Sequence, residues 1–594
     1  MLRQVSSLSN NHINLSAMKK IILYVLCTGL HLSESNALDF YVSSTATGSG
    51  NGSFASPWQL QQALNSPAAI SNPVDTIWIW LRAGTYTNTF NNQASFSCFT
   101  NGSSTAPIIF RNYNNERATL DGQLAFTVAF SLGNCSYTWF WGIEVFNSST
   151  FDRDHSNIDR AGNVYCTAEN IKFINLIVHD MGSGLDTWKS AKNTDTYGCV
   201  IYNIGNNLNN NGNWEGHGHG MYLQNDTTGI KKIQDNIVFN TFGYGMKVWQ
   251  TTTTDAIGNF DIQRNILFNG GAASENLGGV GNTSRTHNFF VVSNSINNPI
   301  RNTVIKHNYT YAGINTPRPP VNAFGLNYGV DNMTLDSNYI TCQTRLGFNN
   351  TPIFNGSVTG NKIIAGIPAA FGYYLWGFLA TDYPQNTYFS MQPTSGLEYF
   401  VMPNKYEQGR ANIAIYNWES MSTVQINVSN SGLQAGDIYE LINVMDYYND
   451  IITDTLSTSG IITVPMTGHT FAPVLGSSKA SVSQFPIFGV FVIRKVGHTM
   501  ITSVSNNEID NTMVLYPNPS SGVSTIQCTV SKPGVYSLKV SDITGKSIVL
   551  QKSLYLYQGK QEIQIEMNNQ KPGAYFIGIE GMHVSMLGKL ILSK

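Results

Sequence analysis

A run of nine residues, Trp214-Glu-Gly-His-Gly-His-Gly-Met-Tyr222, holds the densest group of polar and aromatic side chains in the sequence. On a strand, His217 and His219 would share one face because they lie two residues apart. Two imidazoles near the carboxylate of Glu215 are suited to proton transfer or to metal binding. Their spacing fixes no third ligand, so the sequence gives little support for a metal site. The alternative is a turn in which both histidines are hydrogen-bonded internally.

Three further segments align on a glycine followed by an aliphatic residue: Gly184-Leu-Asp-Thr187, Gly220-Met-Tyr-Leu223 and Gly245-Met-Lys-Val248. On neighbouring strands about 4.8 Å apart, Asp186, Tyr222 and Lys247 would stack outward and the aliphatic residues would point inward. Tyr and Lys are candidate proton carriers, and an adjacent carboxylate tunes their pKa values. We therefore predict these catalytic residues: Asp186, Glu215, His217, His219, Tyr222 and Lys247. A solvated outer face without chemistry explains the same column.

Other polar and aromatic residues lie close to these segments in the sequence. Exposed Trp and Tyr rings are suited to stacking on sugars. We predict a substrate-binding role for the following residues: His179, Asp180, Trp214, Tyr244, Trp249, Glu275, Arg285 and His287. Seven Asn lie between Ile201 and Trp214, and this insertion predicts a loop beside a cleft.

The elements that must position these residues are short strands in a repeat. Seven runs share a small first residue followed by β-branched or aromatic residues: Asn175-Leu-Ile-Val178, Cys199-Val-Ile-Tyr202, Asn236-Ile-Val-Phe239, Asn265-Ile-Leu-Phe268, Asn308-Tyr-Thr-Tyr311, Asn338-Tyr-Ile-Thr341 and Asn361-Lys-Ile-Ile364. Their spacings of 24, 37, 29, 43, 30 and 23 residues predict stacked strand-turn coils with loop insertions. Asn at a fixed turn position would form a ladder between coils. A barrel or sandwich, the alternative, prefers hairpins.

Composition agrees with a strand-rich, turn-rich protein. Only 12% of the 594 residues are charged, against roughly 25% in a typical soluble domain. The apolar share of 42% excludes disorder, and the scarcity of Lys, Glu and Arg excludes a coiled coil. A formal net charge of −2 argues against nucleic acid or an anionic membrane surface as the main partner.

Residues 1–37 contain the pattern of a secretory signal peptide. Met18-Lys-Lys20 supplies a basic start, an apolar stretch follows, and Ser35-Asn-Ala37 supplies a small-residue exit. Met18 is an alternative start of translation. A membrane anchor needs about 20 apolar residues, and no segment of the sequence reaches that length. Six cysteines lie outside this region without CxxC spacing, which leaves disulfides and buried thiols equally open.

The first part of the mature chain resembles right-handed parallel β-helix proteins of the pectate-lyase-like type. The resemblance rests on these segments: Leu38-Asp-Phe-Tyr-Val-Ser43, Gly52-Ser-Phe-Ala-Ser-Pro57, Asp75-Thr-Ile-Trp-Ile79, Arg82-Ala-Gly-Thr-Tyr86, Pro107-Ile-Ile-Phe-Arg-Asn112, Thr119-Leu-Asp-Gly122 and Trp139-Phe-Trp-Gly-Ile-Glu-Val145. It implies an all-β fold with coils over residues 38–377. Such scaffolds carry lyases, hydrolases, epimerases and adhesins, so the resemblance indicates fold more than activity.

Two further domains are expected after the β-helix. Alternating strands over residues 378–500 predict a small antiparallel β-sandwich with an accessory role. Residues 510–594 resemble the C-terminal sorting domain of the type IX secretion system. The motifs that carry this resemblance are Leu515-Tyr-Pro-Asn-Pro519, Gly534-Val-Tyr-Ser-Leu538, Val540-Ser-Asp-Ile-Thr-Gly545 and Lys571-Pro-Gly-Ala-Tyr-Phe576. The resemblance implies a Bacteroidota-type organism, type IX machinery as a partner, and a secreted or cell-surface location.

We expect a polysaccharide as substrate or ligand. A lyase or a glycoside hydrolase is the main hypothesis, and a non-catalytic glycan-binding or adhesin-like protein is the alternative. A hydrolase would need two carboxylates, for which Asp180, Asp186, Glu215 and Glu275 are available. The segment from Asn170 to Thr310 has 10 Lys and Arg against 9 Asp and Glu, so no strongly basic groove is expected. No cofactor is firmly indicated, and a calcium ion is left open.

Overall fold

The computed structural model describes residues 38–88, 96–123, 128–154, 162–208, 214–274, 287–312, 323–327, 329–348, 353–365, 374–478, 481–498, 513–530, 532–542, 546–581 and 585–593. Short strands in its first part form three parallel sheets, which we call sheets A, B and C. The chain passes from A to B to C and then returns to A one coil further on. This arrangement is a parallel β-helix, as predicted.

The strands of each sheet follow chain order. Sheet A consists of Leu38–Val42, Ile77–Leu81, Ile108–Asn112, Thr138–Trp141, Lys172–Ile174, Asp195–Tyr197, Lys231–Gln234, Phe260–Gln263, Ile300–Lys306, Val330–Asp336, Ile353–Phe354 and Ser357–Thr359. Sheet B consists of Gly84–Tyr86, Ala118–Asp121, Glu144–Phe146, Ile177–His179, Val200–Tyr202, Ile237–Phe239, Ile266–Phe268, Tyr309–Tyr311, Tyr339–Thr341, Lys362–Ile364 and Thr387–Phe389. Sheet C consists of Phe96–Ser97, Phe130–Leu132, Val164–Cys166, Leu185–Thr187, Met221–Leu223, Met246–Trp249, His287–Val292, Ala323–Asn327, Thr344–Phe348 and Leu375–Trp376.

The predicted asparagine ladder lies at the turn from sheet A to sheet B. Each Asn donates from Nδ2 to Oδ1 of the Asn one coil further on, over distances of 2.8 to 2.9 Å. The rungs are Asn236, Asn265, Asn308, Asn338, Asn361 and Asn386. Because their side chains also bond backbone groups, the ladder satisfies polar groups at a buried turn.

Two details of the predicted repeat are corrected. The coils continue past Gly377 to the strand Thr387–Phe389, and Asn386 is the rung that marks this last coil. Asn175 is not a rung, because it lies one place earlier in the register, at a turn where its φ is 51°. Leu176 has the rung position in that coil, and Cys199 has it in the next coil, where its backbone N donates to Asn236 Oδ1 at 3.0 Å.

The interior of the β-helix is a stack of apolar side chains. Leu185, Met221 and Met246 lie on successive strands of sheet C, and all three are fully buried. The six cysteines of the described residues are buried thiols without disulfides, which decides between the two alternatives. A short α-helix, Leu60–Leu64, packs its buried residues against the same core.

A β-sandwich follows the β-helix, as expected. Its larger sheet consists of Leu397–Pro403, Arg410–Asn417, Phe488–His498, Asp437–Asn443 and Ile451–Thr455, and its smaller sheet consists of Thr423–Asn427 and Ile461–Pro465. The two sheets enclose one apolar core. The other face of the larger sheet packs on the outward face of sheet B, where Tyr416 and Phe488 contact Tyr311. This contact explains why the runs of sheet B are apolar on both faces.

The C-terminal unit consists of two antiparallel sheets around a separate apolar core. One sheet contains Met513–Tyr516, Val523–Val530 and Gly559–Glu566, and the other contains Ser547–Leu556, Gly534–Asp542, Gly573–Gly581 and Ser585–Leu592. Within the part of the chain that the structure describes, no helix is long and apolar enough to cross a membrane.

Candidate functional site

The outward face of sheet C carries the candidate site. Leu185 pairs with Met221, and Met221 pairs with Met246, so the register predicted from the glycines is confirmed. Asp186, Tyr222 and Lys247 therefore occupy one outward column on three consecutive coils. Adjacent strands lie about 4.8 Å apart, so the three side chains start close enough to meet one ligand.

The glycines of this column are required by packing between coils. A Cβ on Gly184 would lie 2.1 Å from the carbonyl oxygen of Gly220. A Cβ on Gly245 would lie 2.5 Å from the carbonyl oxygen of Asn288. Gly218, with a φ of 96°, would place a Cβ 2.2 Å from the carbonyl oxygen of Gly182. These glycines serve close backbone contact rather than access for a ligand.

Asp186 is a buried carboxyl group at the start of the column. Asn163 Nδ2 donates to its Oδ2 at 2.8 Å, and Ser183 Oγ donates to its Oδ1 at 2.8 Å. Burial raises the pKa of Asp186 to about 6, although both hydrogen bonds oppose the shift. The group therefore changes charge in the mildly acidic range, unlike an ordinary aspartate.

Tyr222 lies at the centre of the column and is half-buried. Its hydroxyl accepts a hydrogen bond of 2.9 Å from Gln224 Nε2. Its ring lies 5.2 Å from the ring of Trp188 and 5.7 Å from the imidazole of His219, which is nearly parallel to it. Burial raises the pKa of Tyr222, so the phenol keeps its proton at neutral pH.

Lys247 completes the column. Its Nζ lies 3.9 Å from the centroid of the Trp249 ring and 4.7 Å from that of Tyr244. Tyr244 is buried, and its ring contacts both His219 and His287 at 5.2 Å. Cation–π contacts of this kind hold an ammonium group over a ring without neutralising its charge.

Sequence reasoning missed several aromatic residues on this face. Tyr165 pairs with Asp186 in register, and its ring lies 5.6 Å from that of Trp188. The strand of Tyr165 alternates inward and outward side chains like the strands of Asp186, Tyr222 and Lys247. Asn163 precedes it where those strands have a glycine, so an alignment on glycines does not include Tyr165. Further along sheet C, the guanidinium of Arg345 lies 3.8 Å from the Trp376 ring.

Two predicted substrate-binding residues lie elsewhere. His179 and Asp180 are buried at the end of a strand of sheet B, beneath the sandwich. His179 Nδ1 lies 2.8 Å from Asp180, and its Nε2 lies 2.9 Å from Glu144. Burial alone would lower the pKa of His179, but these two carboxylates raise it to about 9. Asp180 also accepts hydrogen bonds from Arg153 and from the backbone of Leu475 in the sandwich. The pair thus belongs to a domain contact.

Five predicted residues are described only in part or not at all. The backbone of Trp214, Glu215 and His217 forms a strand that pairs with Asn206–Leu208, while their side chains lie outside the described residues. Glu275 and Arg285 also lie outside the described residues. No group of three or more His, Cys, Asp or Glu side chains that could hold a metal ion occurs where the structure describes them.

Comparison with known families identifies the C-terminal unit. Residues 514–593 match the family described as secretion system C-terminal sorting domain. This segment is a type IX sorting domain. It directs the protein through type IX secretion to the cell surface or the extracellular space, as the terminal motifs predicted. No curated protein sequence matches the chain.

Solved structures share the β-helix at low sequence identity. Pectate lyase Pel9A is 15% identical with a TM-score of 0.37, covering 55% of this chain and 80% of that one. The GH136 lacto-N-biosidase from Eubacterium ramulus is 11% identical with a TM-score of 0.33, covering 64% of this chain and 70% of that one. PfbA, a surface adhesin of Streptococcus pneumoniae, is 11% identical with a TM-score of 0.35, covering 62% of this chain and 98% of that one. These structures differ in function, so the likeness selects no activity.

Proposed function

We propose that this protein is an exported enzyme that cleaves a polysaccharide on the outward face of sheet C. The observation that carries the proposal is the column of Asp186, Tyr222 and Lys247 on three consecutive coils. A carboxyl group, a phenol and an ammonium group are thereby presented side by side. Groups of these three types are the usual participants in general acid–base catalysis.

Aromatic rings flank the column and supply contacts for sugars. Tyr165, Trp188 and Trp249 are half-buried, so each ring is fixed by packing yet keeps an accessible part. Rings held in this way offer an apolar surface to the C–H face of a sugar. A glycan running across the coils would contact these rings together with Tyr222 and Lys247, with the buried Asp186 next to Tyr222 in the column.

The chemistry of the column favours elimination over hydrolysis. Tyr222 keeps its proton at neutral pH and is suited to protonate the leaving glycosidic oxygen. As a neutral amine, Lys247 is suited to remove the proton next to a uronate carboxylate. As an ammonium group it would instead neutralise that carboxylate and leave the proton to another base. Hydrolysis needs a pair of carboxyl groups, and Asp186 is the carboxyl group of the column on these three coils.

A panel of polysaccharides tests the proposal. The full-length protein is incubated with neutral and uronate-containing glycans, each with calcium and with EDTA, because the sequence leaves a calcium ion open. Elimination yields unsaturated ends that absorb in the ultraviolet, and hydrolysis yields reducing ends without them. We expect unsaturated products from a uronate-containing glycan. Reducing ends alone would overturn elimination, and binding without products would favour an adhesin.

A further inference from the structure

A cavity of about 370 Å³ lies between the β-helix and the sandwich, away from sheet C. We call it the interface cavity. Five cationic side chains line it: Arg111, Arg117, Arg410, Arg494 and Lys495. Three carboxyl groups also line it: Glu116, Glu144 and Glu407.

The carboxylates of the cavity are already engaged by protein groups. Glu144 accepts hydrogen bonds from Arg117 and Thr119, and His179 lies 2.9 Å from it. Glu116 accepts the backbone N–H of Ala83 at 2.6 Å. Glu144 is therefore the ion-pair partner of Arg117, whereas Glu116 bonds a neutral backbone group.

Two arginines of the cavity share the remaining carboxylate, Glu407. Arg410 is buried, and its Nη1 lies 3.4 Å from Glu407. Among the described residues, its Nε has no hydrogen-bond partner. Arg111 Nη2 lies 3.6 Å from the same carboxylate, and its guanidinium stacks 3.8 Å above the Trp141 ring. Glu407 also accepts a hydrogen bond from Trp141 Nε1. One carboxylate therefore serves two guanidinium groups at long distances, and positive charge remains uncompensated.

The other three cations each have a carboxylate partner of their own, and Arg117 pairs with Glu144 at 2.7 Å. Arg494 pairs with Glu440 at 2.7 Å, and Lys495 pairs with Asp437 at 2.6 Å, and neither carboxylate lines the cavity. Arg494 and Lys495 line the cavity, whereas their carboxylate partners do not. The wall of the cavity thus favours an anion.

We propose that the interface cavity binds the carboxylate of an acidic sugar, with Arg111 and Arg410 as its recognition groups. An arginine fork matches the two oxygens of a carboxylate. Tyr406, Tyr447 and Tyr448 also line the cavity and add aromatic surface beside these groups. The volume lies in the range of small-molecule sites, and it exceeds what a bare inorganic anion needs. This site is separate from the column on sheet C, and its occupation does not depend on catalysis there.

Calorimetric titration of the full-length protein tests the proposal. The probes are glucuronate and galacturonate, their neutral counterparts glucose and galactose, and inorganic sulfate. We expect saturable binding of at least one uronate, weakened by added salt, with at least tenfold weaker binding of neutral sugars and sulfate. Arg111→Gln is expected to weaken uronate binding at least tenfold. Lys232→Gln, on an exposed part of sheet A, is the matched control and should leave binding unchanged.

Two further variants test binding at the interface cavity independently of catalysis on sheet C. Lys247→Ala on sheet C should leave uronate binding by the interface cavity unchanged, whatever its effect on turnover. Arg494→Gln is a second variant in case Arg111→Gln fails to fold, and it should also weaken binding. Equal affinity for sulfate and uronate, equal affinity for neutral and acidic sugars, or normal binding by a folded Arg111→Gln variant would each overturn the proposal.

Discussion

Asp186 illustrates how much one carboxyl group is changed by its place in the β-helix. Exposed aspartates ionise near pH 4, whereas burial on sheet C raises the pKa of Asp186 to about 6. The folded state therefore binds this proton more tightly than the unfolded state does. The stability that Asp186 contributes is present below about pH 4 and is lost as the pH rises through about 6.

The first prediction concerns this linkage. Between about pH 4 and about pH 8, the wild-type protein should lose unfolding free energy on the order of 3 kcal/mol through Asp186. Asp186→Asn removes the ionisable group, so the variant should not show this loss. Its unfolding free energy relative to the wild type should therefore increase as the pH rises. Urea denaturation across this range measures both proteins. Parallel pH profiles would show that the carboxyl group ionises normally.

His179 has the opposite linkage, because its raised pKa belongs to a base. Its charge stabilises the contact between sheet B and the sandwich fully below about pH 6.5, and this stability is lost as the pH rises through about 9. The melting temperature of the wild type should therefore fall from about pH 7 to about pH 10. His179→Gln should melt lower at pH 7 and vary less over this range. Calorimetry that shows the same alkaline slope in both proteins would contradict the assignment.

At the scale of elements, the asparagine ladder fixes the register of sheet B. Asn308 is a fully buried rung that donates to Asn338 Oδ1 and to the carbonyl of Ile262. Removing its amide takes this donor from the Ile262 carbonyl and takes the acceptor Asn308 Oδ1 from the backbone N–H and Nδ2 of Asn265, at a cost of roughly 1–3 kcal/mol for each buried group. Asn308→Ala should thus lower stability by several kcal/mol in chemical denaturation. Asn297→Ala, at an exposed loop position, should stay within about 0.5 kcal/mol of the wild type.

The repeat could be predicted from the sequence because each coil carries the same short pattern of residues. The Asn runs predict sheet B, and the aligned glycines predict the column of Asp186, Tyr222 and Lys247, since packing between coils imposes the same residue type each time. Asn175 misled the alignment because Asn also favours the positive φ of the preceding turn.

Other parts of the site depend on contacts that no local pattern reveals. Asp180 is next to His179 and follows a strand that resembles the others, yet it bonds Arg153 and Leu475, far from it along the chain. The sandwich that covers sheet B decides which face of the β-helix remains accessible. The interface cavity has the same origin, because residues of two domains line it.

At the scale of the whole molecule, export and folding are assigned to separate units. The sorting domain has its own apolar core, and its described residues, from 513 onward, belong to a compact unit separate from the β-helix and the sandwich. Deleting residues 514–594 should therefore retain the protein in the periplasm of a host with type IX secretion, with the β-helix still folded. Cell fractionation and circular dichroism measure the two outcomes. Normal delivery of the truncated chain to the surface would contradict the sorting role.

Turnover by variants of the sheet C column, on a glycan that the wild type cleaves, tests most directly whether this column is the catalytic site. Tyr222→Phe removes only a hydroxyl group, and Lys247→Met removes only the charge. Each should lower turnover by about 10²–10⁴-fold, the usual contribution of one proton-transfer group, while the folded structure is retained. Lys232→Met on sheet A is the control and should keep wild-type turnover. Near-normal turnover of both folded column variants would show that cleavage takes place elsewhere on the molecule.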